Sequence, residues 1–147
     1  MRALVRNLPV FISIFTFGGI TYSSLEVAYR GSSHWTMTIT GGLCFFMLYM
    51  IAIYIKASFW KKAAFGAFLI TCTEFVVGII VNKVLGWEIW DYSDLPFNFM
   101  GQICLGFTIM WVGLSVVSIW LCKYIFLLKR RSEQKAFYSN FHLDMPG

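Results

Sequence analysis

Glu74 is the residue whose type and setting most call for a chemical explanation. It stands near the middle of the apolar run Ala63–Leu85, where an ionisable group costs roughly 2.5–3.5 kcal/mol on insertion scales. A carboxyl at that depth must face the inside of a helix bundle with a partner, or be protonated. Thr71, Glu74, Gly78 and Asn82 share one helical face, a polar stripe from mid-membrane to one surface. Two roles compete for the carboxyl. It could bind a cation, a proton or a ligand amine, or it could simply hydrogen-bond neighbouring helices together.

Tyr22, Glu26 and Arg30 form a second set on one face, with Glu26 and Arg30 four apart in the order that favours a salt bridge. Left exposed, such a pair contributes little. Leaning into a cavity, Arg30 could neutralise Glu74 or Asp91, or bind an anionic group on a ligand. His34 and Trp35 follow at the start of the next apolar run. A lone interfacial histidine is more often capped or solvated than a ligand. Metal chemistry with Glu26, Glu74 and Asp91 is conceivable, but no spacing of the HExxH kind is present and no metal site is assigned.

The stretch EIWDYSDLPFNFMGQICLG, Glu88 to Gly106, is the third candidate. Trp87, Trp90 and Tyr92 have an ordinary reading as an aromatic belt at the membrane surface. Asp91 and Ser93 make a turn or cap. Asn98 and Gln102 are expected one turn apart at the start of the last helix, aiming their amides at the outer end of the Glu74 stripe.

The elements that must position these residues are membrane spans. Of 147 residues, 59% are hydrophobic, 19% aromatic and only 13% charged, against roughly a quarter charged in a soluble domain. Four runs reach the length of about 20 apolar residues that a bilayer requires: Leu8–Leu25, Met37–Ile55, Ala63–Leu85 and Phe99–Leu128. They are too long and too uniformly apolar for barrel strands. The expected fold is an all-α, four-transmembrane-helix bundle over 1–128, followed by a basic, polar cytoplasmic tail over 129–147. The basic connection KASFWKK makes the second and third helices antiparallel neighbours.

Charge sets the expected orientation. Arg2, Arg6, Lys56, Lys61, Lys62, Lys123, Lys129, Arg130, Arg131 and Lys135 fall on one side, and Arg30 and Lys83 on the other. Cationic loops favour the cytoplasm, so both termini are expected inside an integral cell-membrane protein. The net charge of +5 thus describes topology, with membrane lipid as a partner and nucleic acid not implied. The first run follows MRALVR but lacks a convincing small-x-small cleavage site, so it is read as a retained span. Cys44, Cys72, Cys104 and Cys122 all lie in apolar runs and form no close pair, as buried inert thiols would. A faint repeat relates Glu26 and GGLC (Gly41–Cys44) to Glu74 and GQIC (Gly101–Cys104), a match that chance explains at least as well.

No Walker lysine loop, GxSxG elbow or Cys/His nucleophile pair is present. Four segments do resemble a known family: LExxxRGxSHW (Leu25–Trp35), Gly41 with Gly42, ExxxGxxxN (Glu74–Asn82) and WDYSxxPxNxxGQI (Trp90–Ile103). Together they are similar to the CmpB-type putative ABC-transporter, type IV, family of small polytopic membrane proteins. The resemblance implies a polytopic fold and a polar cluster of Glu26, Arg30, His34, Glu74, Asn82, Trp90, Asp91, Tyr92, Asn98 and Gln102. It supplies no substrate.

Three functions follow as alternatives. The first is a small transport-type membrane protein with an outward-facing polar cavity centred on Glu74, binding or moving a small solute or ion. Four helices leave little room for a solute path, so a homo-oligomer is expected, and a separate membrane or ATPase partner is open. The second is a membrane-embedded enzyme acting on lipid or extracytoplasmic conjugates, which needs Glu26, His34 and Asp91 within mutual reach of a lateral cleft. The third is an accessory or assembly protein, whose polar residues would be packed and satisfied. No cofactor is assigned, and a non-enzymatic role is favoured.

Overall fold

The computed structural model describes residues 2–143 and the side chains of 7–135. Its elements are α1 (Arg2–Arg30), α2 (Trp35–Tyr54), α3 (Phe59–Gly78) continuing into a π-helical turn (Ile79–Val84), two short strands β1 (Asn98–Phe99) and β2 (Ile103–Cys104), and α4 (Leu105–Leu143). All four helices are long and apolar enough to cross a membrane. The fold is therefore the expected four-span helical bundle. The side chains of Arg2 and Arg6, and residues 144–147, lie outside the described residues.

Helix ends differ from the expected ones for local reasons. The first helix runs on past Leu25 because Glu26 and Arg30 pair across one turn. It stops where Gly31 takes a left-handed φ of +80° and returns its N–H to the Val27 carbonyl at 2.8 Å. His34 caps α2, its ring nitrogen accepting from Thr36 N at 3.4 Å. Lys62 turns inward and donates to the Ala52 carbonyl at 2.7 Å, satisfying an acceptor in the last turn of α2. Helix α4 runs on through the basic residues after Leu128 to Leu143.

The larger correction concerns the last span. Helix α4 begins at Leu105, and Phe99–Cys104 belongs to a hairpin in which Asn98 pairs with Cys104 and Phe99 with Ile103. Phe97 and Met100 at φ 55°, with Gly101 at 70°, take left-handed conformations that no helix accommodates. Asn98 reinforces the turn by donating to the carbonyls of Leu95 at 2.8 Å and Ser93 at 3.0 Å. Asn98 and Gln102 are consequently not successive turns of a helix.

Packing is uneven. Helix α1 lies against α2, while α4 packs on α3 and α2. The α1–α2 seam is close because glycines line both sides, as the small residues of the second span imply. A Cβ on Gly41 would overlap Tyr22, and one on Gly18 would overlap Phe45. Lipid-facing positions such as Ile12, Ile20, Phe68 and Val76 are exposed and apolar. Cys44, Cys104 and Cys122 are buried, whereas Cys72 faces outward, so the expectation of four buried thiols holds for three. Trp60, Trp120 and Tyr124 are exposed near the basic end, as an aromatic belt would be.

Candidate functional site

Glu74 is 3% exposed, and both its oxygens are occupied. Tyr22 of α1 donates its hydroxyl to Oε1 at 3.1 Å, and Trp111 of α4 donates its indole N–H to Oε2 at 2.5 Å. The two rings stack, centroids 5.8 Å apart and planes at 19°. Three helices are thereby joined at one carboxyl, each buried polar atom having the partner that burial demands. Arg30 does not reach it. Its guanidinium pairs with Glu26 and donates to the Ile89 carbonyl at 2.6 Å, so the expected neutralisation of Glu74 or Asp91 by Arg30 is absent.

Tyr22 and Trp111 also form the wall of a cavity of about 440 Å³ between α1 and α4, floored by Gly41, Cys44 and Leu48 of α2. Helices α1 and α4 meet through side chains at three levels, the Tyr22–Trp111 stack in the middle and one tie towards each end. Lys129 bonds Asn7 at 2.6 Å near the basic end, and Tyr29 meets Phe107 edge to face at 5.7 Å near the WDYS end. Around these contacts the two backbones stand apart, leaving a groove. Its lining is largely apolar, with Glu26, Arg30 and Tyr92 at the WDYS end. This differs from the expected polar cavity around Glu74: the carboxyl sits behind the aromatic wall, not in the lining.

Above Glu74 the loop is docked by amides. Asn82 donates to Gln102 Oε1 at 2.8 Å and to the Trp90 carbonyl at 3.0 Å, and accepts from Ile89 N at 2.7 Å. The Trp90 indole donates to the Gln102 carbonyl at 3.0 Å. Gly78 makes this fit: a Cβ there would stand 2.6 Å from Gln102 Oε1 and 3.0 Å from the Trp90 ring. Trp90 is buried and Tyr92 half-buried, stacked on Phe107 at 4.6 Å, so neither serves as belt. Burial and the nearby Glu74 carboxyl raise the Tyr92 hydroxyl well above its ordinary 10.0, keeping it a donor at neutral pH. Trp87 does remain at the surface, clustered with His34 and Trp35.

Because Asn82 holds three partners, Asn82→Ala should free the loop from α3. Buried groups left unpaired cost about 1–3 kcal/mol each. The expected result is about 2 kcal/mol less local stability, read as faster amide exchange at Ile89 with slower change in the helices.

Asp91 is exposed and accepts from Ser93 N at 2.9 Å and Ser93 Oγ at 2.6 Å, the expected turn. These bonds hold its carboxyl below the ordinary 3.8. A depressed folded-state value means the turn's contribution is complete above the ordinary value and is lost as pH falls through the folded one. The Ser93 amide resonance should accordingly titrate with a midpoint below 3.8.

The ten sequence candidates thus divide. Glu26, Arg30 and Tyr92 line the groove mouth, and Glu74 lies behind its wall. Asn82, Trp90 and Gln102 fasten the loop, while Asp91 and Asn98 shape it. His34 caps α2, and among the described residues no group of His, Cys, Asp and Glu could hold a metal. Trp111, which holds Glu74 and walls the groove, is not among those ten. A tryptophan deep in an apolar run needs an acceptor for its N–H, and that was the signal available.

Neither a curated protein nor a solved structure matches the chain. A family model does, over residues 10–141, and the chain accordingly belongs to the family described as "Putative ABC-transporter type IV".

Proposed function

We propose that this integral membrane protein binds and moves a small solute by way of the α1–α4 groove, with Glu74 as its polar anchor. One observation carries the reading: the donors that hold Glu74 are the same rings that wall the groove. Rotation of Tyr22 or Trp111 would present the carboxyl to whatever occupies the space, and would close it again afterwards. A transporter-type family and four apolar helices fit this role. Further copies of the chain, and an ATPase subunit, belong to the proposal as the means of completing a path.

The enzymatic alternative is less well supported. His34 is engaged with Thr36, Asp91 with Ser93, and Glu26 with Arg30 and Ser33. Acid–base work requires such groups to converge on one reacting atom, and these are committed to separate neighbours.

A thermal-shift screen of the purified protein against ions, lipids and metabolites tests the proposal. A ligand present at a hundred times its Kd adds about 2.7 kcal/mol to apparent stability. Glu74→Gln keeps an acceptor for Trp111, so it should fold, yet lose most of that stabilisation. Full stabilisation of the Gln variant would remove the carboxyl from the site.

A further inference from the structure

The groove has a shape and a polarity gradient that narrow its ligand. On α1 it extends from Phe17 to Arg30, and on α4 from Phe107 to Leu121, about 20 Å at 1.5 Å per residue. Below the Tyr22–Trp111 pair its walls are almost wholly hydrocarbon: Phe17, Phe45, Leu48, Val117 and Leu121. Above the pair lie Glu26, Arg30 and Tyr92, with Glu74 at the junction. Arg30 Nε is buried there without an acceptor.

The groove encloses about 440 Å³. That volume suits a small ligand. The lining residues Phe17, Leu25, Met110 and Val117 are themselves exposed on the apolar outer face, so the natural entrance is sideways from the bilayer.

We infer that the groove takes a single-chain phospholipid bearing a free hydroxyl between chain and phosphate, that is, a lysophospholipid. Its chain occupies the apolar lower groove, its phosphate meets Arg30 and Tyr92, and its hydroxyl donates to Glu74 once Tyr22 turns aside. This deepens the proposed function and rests on it.

The test is photolabelling of the intact protein in nanodiscs with diazirine-tagged lysophosphatidic acid, competed by unlabelled lipids. Cross-links should concentrate on Val117, Ser118 and Leu121. Lysophosphatidic acid should compete at least tenfold better than diacyl phosphatidic acid or glycerol phosphate. Ser118→Trp should abolish labelling, Arg30→Ala should weaken it about tenfold, and the lipid-facing control Val76→Trp should leave it intact. Labelling spread evenly over Phe68, Val76 and the groove overturns the inference, as does equal competition by the diacyl lipid. Both results are read on the wild-type chain, so misfolding of a variant does not shield the claim. Groove labelling that ignores Glu74→Gln would sustain the occupied groove but sink the anchor. Even labelling, alongside a different solute whose stabilisation Glu74→Gln abolishes, would sink the lipid and leave the anchor standing.

Discussion

Replacing Glu74 with leucine is expected to weaken helix association by about 2–3 kcal/mol, although leucine fills the space and suits a bilayer. The loss comes from its partners: the Tyr22 hydroxyl and the Trp111 indole N–H would be left buried without an acceptor. Interhelical hydrogen bonds in membranes average about 0.6 kcal/mol and reach about 1.7, and an abandoned buried donor adds to that. Substituting Tyr22→Phe in the same variant removes one orphan, and about 1 kcal/mol should return. Reversible unfolding in mixed micelles reads both changes. A role confined to solubility or insertion would make the leucine variant more stable instead.

The second large effect belongs to the α1–α2 seam. Gly41→Val should cost about 3 kcal/mol, the upper end of overpacking penalties. Its new Cβ would overlap Tyr22, and Gly18 O would stand 3.1 Å away, a backbone atom that cannot swing aside. Displacing α1 also carries Tyr22 away from Glu74, so ligand-dependent stabilisation should fall with global stability. Gly113, where a Cβ meets nothing within 4 Å, supplies the control: Gly113→Val should change the melting midpoint little.

The spans were legible because long apolar runs report a membrane directly, and Glu74 because a carboxyl in such a run stands out. Asp91 with Ser93 was readable as a turn from residue type alone. The start of α4 was not. Phe97 and Met100 carry left-handed backbones that their side chains do not announce, so an apolar run appeared to begin six residues early, at Phe99 rather than Leu105. Trp111 was missed because its partner lies 37 positions away, a contact made only by tertiary packing. The groove was invisible for a related reason: it arises where the α1 and α4 backbones stand apart and only side chains bridge them, and no local pattern encodes such a gap.

That Glu74 is held behind the groove wall by Trp111 is tested most directly by a double-mutant cycle of Glu74→Leu and Trp111→Phe in bilayer discs, with unfolding free energy as the readout. A coupling of about 1–2 kcal/mol is expected, the double variant being less damaged than the sum of the two singles. Additivity within about 0.3–0.5 kcal/mol would contradict the contact, and with it the anchored groove.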